Sequence, residues 1–125
     1  MLRNGGTHDG YRVLSPAIVA KASTLQTGDM INDLYRHLAE ARGWETPPGN
    51  MGLGFALGGT GLKISQFGTL SGPNNFGNFG AGSTLFWVDP QRQITFACLS
   101  TKIMEESENI ARFQRLSDLV ISAAN

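Results

Sequence analysis

The stretch "FGNFGAGSTLFWVDPQRQITFACLST", residues 76–101, decides how the chain folds. Its second half holds two runs rich in aromatic and β-branched residues, "STLFWVD" and "QITFACLST", separated by "PQRQ". Such runs either side of a short proline-containing break read as a β-hairpin. Both are apolar almost throughout, so the sheet they belong to is expected to be covered on both faces. In the first half Gly77, Gly80 and Gly82 stand directly against the strand carrying Leu85, Phe86, Trp87 and Val88. Glycine tolerates unusual backbone angles and lets a second backbone or a ligand come close. The glycines therefore mark either a turn or the rim of a site.

Downstream, Ile110, Phe113, Leu116, Leu119, Val120 and Ala123 recur at helical spacing, with Arg112, Arg115 and Asp118 off the stripe. This predicts a terminal amphipathic helix covering one sheet face. Ser107-Glu108-Asn109 has the form of a Ser-x-Asn catalytic box, but at a helix start Ser107 reads as an N-cap.

Upstream, the span from Gly49 to Gly82 holds eleven of the sixteen glycines, interleaved with Leu53, Phe55, Leu57, Leu62, Ile64 and Phe67. That apolar content demands burial, which argues against a disordered spacer. Short strands "MGLGFAL" and "GLKISQF" joined by "GGTG" are expected here. Residues 29–42, "DMINDLYRHLAEAR", place Met30, Ile31, Leu34, Leu38 and Ala41 on one helical face, with Asp29 as cap and Gly43 as terminator. "PAIVAKAS" reads as a helix capped by Ser15 with Pro16 at its first position. Before it, Asp9-Gly10 predicts a hairpin-like turn. The expectation is an α+β fold in one domain, residues 1–125: an antiparallel sheet of three to five strands, the C-terminal helix on one face, and the helical segments of residues 15–42 at an edge.

Ten basic and ten acidic residues cancel, which removes the electrostatic basis for nucleic acid or an anionic membrane as partner. The lone Cys98 has no disulfide partner in the chain and reads as a small buried hydrophobe. No apolar run is long enough to cross a bilayer, and "MLRNGGTHDG" lacks the apolar core of a signal peptide, so the cytoplasm is the expected compartment. His8 and His37 are too few for a metal centre, and Asp29, Asp33 and Glu40 read as a solvated helix face. No metal or cofactor is expected. Gly-x-Ser-x-Gly, Ser-x-x-Lys and phosphate-loop signatures are missing from the sequence.

The order "LRNGGTHDGYRVLSPAIVAKA", "MGLGFAL", "FGNFGAGSTLFWVDPQRQITFACLST" and a terminal amphipathic helix resembles the C-terminal third of serine beta-lactamase-like hydrolases. That family includes class C beta-lactamases, penicillin-binding proteins and related esterases, and the resemblance is to the class C-like, esterase side. It implies that Asn78-Phe79-Gly80 lies where the family carries a Lys-Thr-Gly or His-Thr-Gly box on a strand lining the active site, with Gly82-Ser83 opening the next strand. It implies an acyl-transfer site in which the amide of Ala81 helps hold the oxyanion and the Asn78 side chain faces substrate. Asn78 brings no positive charge, and Phe79 replaces a small or hydroxyl residue, which suits an ester or acyl group better than the carboxylate of a beta-lactam.

The nucleophile box of the family has no counterpart here, so the chain is expected to be a fragment or subunit, silent by itself. Through the same resemblance "LRNGG" closes a preceding helix, which makes Met1 an internal residue or a late start. The expected partners are an acyl small molecule once the nucleophile-bearing part is present, and a second copy or a complementing chain. The alternative is a stand-alone, non-enzymatic binding or oligomerising α+β domain.

Overall fold

The computed structural model describes residues 1–81 and 83–124, without the side chain of Leu34. Two short strands, β1 (Thr7–His8) and β2 (Tyr11–Arg12), form the N-terminal hairpin, turning on Asp9 and Gly10 at φ 48° and 81°. Two consecutive positive φ angles match the twist of a two-residue hairpin, and Asp-Gly is a pair that adopts them cheaply. Ser15 then caps α1 (Pro16–Ala22), its Oγ accepting from the Ile18 amide at 3.2 Å, as expected.

Helix α2 runs Asp33–Arg42, shorter at its start than the expected 29–42. Asn32, not Asp29, is the cap, accepting from the Tyr35 amide at 3.3 Å, while its own amide donates to Pro47 O at 3.0 Å. Ile31 bridges Pro48 instead of joining the helix, so the apolar spacing of Met30 and Ile31 serves a loop contact. Gly43 ends α2 at φ 66°.

The main sheet is antiparallel, in the order β3 (Ala56–Leu57), β4 (Phe76–Gly80), β5 (Thr84–Asp89), β6 (Ile94–Cys98). The β5–β6 hairpin is the one read from the sequence. Its turn is built by Asp89, wholly buried, whose carboxylate accepts from the Arg92 amide at 2.9 Å and pairs with the Arg92 guanidinium at 2.8 Å. "MGLGFAL" contributes only two strand residues, and they pair with β4, Ala56 opposite Gly77. "GLKISQF" forms no strand. Leu62 is 87% exposed and Phe67 is 1% exposed, so this segment anchors through one side chain rather than an alternating face. Its polar groups are tied to the terminal helix α3 (Glu106–Ala124): Gln114 accepts from the Ser65 amide at 3.2 Å, and Ser117 Oγ donates to Gln66 O at 2.7 Å.

Helix α3 covers one face of the sheet. Phe113 and Ile121 pack with Phe67, Leu85 and Trp87, and Cys98 lies half-buried at the margin of this core. The buried line is Ile110, Phe113, Ser117 and Ile121, while Leu119 points to solvent. The expected stripe missed Ser117 because serine is buried here for its hydroxyl, which accepts from the Trp87 indole at 2.9 Å. Ser107 is not the cap either: the Glu105 carboxylate precedes the helix, accepts from the Glu108 amide at 3.2 Å and also receives the Ser107 hydroxyl. Those hydrogen bonds hold the Glu105 carboxyl below the usual carboxylate range.

The opposite face is only partly covered. Phe55 lies 5.2 Å from Phe76 and 6.1 Å from Phe86, ring to ring, and the N-terminal turn Leu2–Asn4 approaches β5, with Arg3 donating to Gln93 O at 2.8 Å. Thr95 and Ala97 of β6 are exposed, so β6 alternates in and out and the two-sided cover expected from its apolar sequence does not extend to it.

Candidate functional site

The β4–β5 turn is held from beneath. Ser83 adopts φ 61°, is fully buried, and its amide donates to Gly80 O at 3.0 Å. Its carbonyl accepts from Ser100 Oγ and from Arg112 at 3.4 Å, and the same guanidinium reaches Ser100 Oγ at 3.2 Å and Asn109 Oδ1 at 3.1 Å. Arg112, off the apolar stripe of α3, is therefore a brace under the turn.

Above this turn opens a cleft of about 810 Å³, walled by α2, the loop after it, residues 62–66, the end of β4 and the first turn of α3. Asn78, Phe79 and Ala81 line it. Gly80 is not among its lining residues, and Gly82 lies outside the described residues. Asn78 is held against the adjacent loop: its Nδ2 donates to Gly54 O at 3.4 Å and its Oδ1 accepts from the Phe79 amide at 2.9 Å. The Phe79 ring sits between Tyr35, 6.4 Å away, and Phe113, 5.7 Å away, so it joins the core to the cleft wall.

Gly77 and Gly80 have different reasons for being glycine. A Cβ on Gly77 would lie 2.6 Å from Trp87 Cα, whereas one on Gly80 would meet only Thr84 Oγ1, at 3.4 Å. Gly77 is required for strand packing, and Gly80 is free of that constraint.

Four polar residues of the cleft did not stand out in the sequence: Asn50, Lys63, Tyr35 and Glu106. Burial first, then the neighbouring Glu106 carboxylate, push the Tyr35 pKa well above the usual tyrosine range. Tyr35 therefore keeps its proton and serves as a donor rather than a base at neutral pH. Two hydroxyls on the wall are engaged by backbone: Thr27 Oγ1 accepts from the Met51 amide at 3.1 Å and Ser65 Oγ from the Phe67 amide at 3.2 Å. Neither has a general base bonded to it among the described residues, which is the arrangement a nucleophile needs. His8 and His37 lie away from the cleft, beside Asp9 at 3.5 Å and Glu40 at 3.9 Å, both exposed. Asp33 pairs with Arg36 at 2.5 Å. Among the described residues no group of three or more His, Cys, Asp or Glu could hold a metal, and no helix is long and apolar enough to cross a membrane.

No family model matches the chain, and no curated protein matches it. Among solved structures it is similar to a beta-lactamase from Mycobacterium bovis, with a TM-score of 0.72 and 21% sequence identity over 90% of this chain. The fold is a partial beta-lactamase-like one. The chain spans 38% of the length of that beta-lactamase. The α+β arrangement expected from the sequence, a four-stranded antiparallel sheet with the C-terminal helix on one face, is what the beta-lactamase-like portion consists of here.

Proposed function

We propose that the chain supplies the sheet wall of an acyl-transfer cleft in a serine hydrolase of beta-lactamase type, on its class C-like, esterase side, with the nucleophile carried by further polypeptide. The observation that carries this reading is that Asn78, Phe79 and Ala81, at the end of β4, face one cleft large enough for a small acyl compound. The cleft wall brings the backbone donors of the strand end and no activated hydroxyl among the described residues. In this reading the Ala81 amide is an oxyanion donor, a role in which one hydrogen bond contributes about a hundredfold or more in rate.

The test is a fusion of the chain to an N-terminal segment that bears Ser-x-x-Lys. A p-nitrophenyl ester and nitrocefin are assayed after cooperative unfolding has shown that the fusion is folded. Turnover or serine acylation supports the reading, with the ester favoured over nitrocefin. A folded fusion that is neither acylated nor active refutes it.

A second reading, an oligomerising domain without catalysis, is favoured by one feature. Strand β6 is at the end of the sheet order, and Leu99 and Ile103 beyond it are 85% and 79% exposed. A bare edge beside exposed apolar side chains is a template for pairing. Sedimentation equilibrium separates the cases: a concentration-dependent dimer supports pairing through this edge, and a monomer at high concentration removes it.

A further inference from the structure

The apolar side chains of the cleft come from two separate stretches, and the first is fixed by backbone bonds. Residues 30–32 and 47–49 run antiparallel: Ile31 bridges Pro48, the Gly49 amide donates to Met30 O at 2.7 Å, and the Asn32 amide donates to Pro47 O at 3.0 Å. Met30, Ile31 and Pro48 thereby form one wall, and Leu57, Leu62 and Ile64 supply the other stretch. Met30, Ile31, Leu62 and Ile64 are all exposed although they line one concavity. Exposed apolar side chains that converge on a concave surface mark a binding groove.

The polar side chains among them are mostly committed elsewhere. Asn32 caps α2, Asn78 donates to Gly54 O, and Thr27 and Ser65 accept from backbone amides. Of the charged side chains that line the cleft among the described residues, Asp33, Glu45 and Glu106 are carboxylates and Lys63 is the one cation. Burial first and the Glu106 charge second already oppose ionisation of Tyr35 on this wall, and a ligand carboxylate seated beside it would meet both penalties.

We propose that the ligand of this cleft is an uncharged ester with a medium-length aliphatic acyl chain, seated along the Met30, Ile31, Leu62 and Ile64 side chains. This rests on the reading of the cleft as an acyl site, with the ester carbonyl at the β4 end. There Phe79 adds an aromatic ring to the wall and Asn78 adds no charge, which continues the same neutral, apolar character.

The experiment titrates the 15N-labelled chain with N-methylbutanamide, N-methylhexanamide and N-methyloctanamide, stable uncharged stand-ins for esters of growing chain length, and with octanoate. Affinity for the amides is expected to rise about fourfold for each added methylene, as burial of the chain requires. Octanoate is expected to bind about tenfold or more weaker than N-methyloctanamide. Leu62→Ser and Met30→Ser, at exposed positions, flatten the dependence on length, and Leu119→Ser, exposed on α3 away from the cleft, leaves it as it is. Length-dependent binding with shifts at Met30, Leu62, Phe79 and Ala81 supports the proposal. The same dependence with Phe79 and Ala81 unmoved supports the apolar seat and counts against the acyl reading. Equal affinity along the series with shifts at Phe79 and Ala81 overturns the aliphatic chain and leaves the acyl cleft standing. Octanoate bound as tightly as its amide overturns the uncharged ligand, and no binding of any compound at millimolar concentration overturns the proposal and leaves these walls as a seat for further polypeptide.

Discussion

Gly77 and Trp87 face each other across β4 and β5 so closely that a Cβ on Gly77 would lie 2.6 Å from the Trp87 Cα. A Cβ there would also collide with the Phe86 carbonyl oxygen, so the glycine lets the backbones of β4 and β5 close on each other. Gly77→Ala should therefore destabilise the chain by about 1–3 kcal/mol through overpacking. Gly80→Ala, with only a 3.4 Å contact to meet, should change stability by less than about 1 kcal/mol. Urea unfolding of both variants makes the comparison, and equal losses would show that the two glycines share one role.

Ser117 links three parts of the core, accepting from the Trp87 indole and donating to Gln66 O. Ser117→Ala leaves a buried N–H and a carbonyl unpaired, at a cost of about 1–3 kcal/mol. The drop in denaturation midpoint should come with a blue- or red-shifted Trp87 emission, because the indole loses its partner. An unchanged midpoint would mean that water replaces the hydroxyl without loss.

Much of this was legible in residues 76–101. The hairpin, the terminal helix and the Ser15 and Asp9-Gly10 signals follow from local chemistry, and local chemistry is what a sequence displays. The misreadings share one cause, which is that tertiary partners recruit residues out of their local pattern. Met30 and Ile31 left α2 because Asn32 found two backbone partners, and "GLKISQF" left the sheet because Ser65, Gln66 and Phe67 bind α3 and the core. Asn78, Phe79, Gly80, Ala81 and Gly82 are singled out only through the family resemblance; of them Asn78, Phe79 and Ala81 line the cleft. Tyr35, Glu106, Lys63 and Asn50 are not singled out, since four separate segments bring them to the cleft and no spacing records that convergence.

Tyr35 offers a pH test. Its folded-state pKa is raised, so the proton is held more tightly in the folded chain than in the unfolded one. The resulting stability is complete below the ordinary tyrosine range and is lost as pH rises through the raised value. With Tyr11 replaced by Phe, the ultraviolet titration of the remaining phenol should occur well above that of free tyrosine. Glu106→Gln should bring it part of the way back, because burial, the largest cause, remains. A normal titration in the folded chain would show that Tyr35 is neither buried nor held beside Glu106.

The most direct test lies at Ala81. In a folded fusion that carries the Ser-x-x-Lys segment, the Ala81 backbone amide is replaced by an ester, which deletes one N–H and no side chain. The rate of serine acylation by a p-nitrophenyl ester should fall by about a hundredfold or more while stability changes little. An acylation rate that is unchanged by the loss of this N–H would contradict the assignment of the β4 end as the oxyanion wall of the cleft.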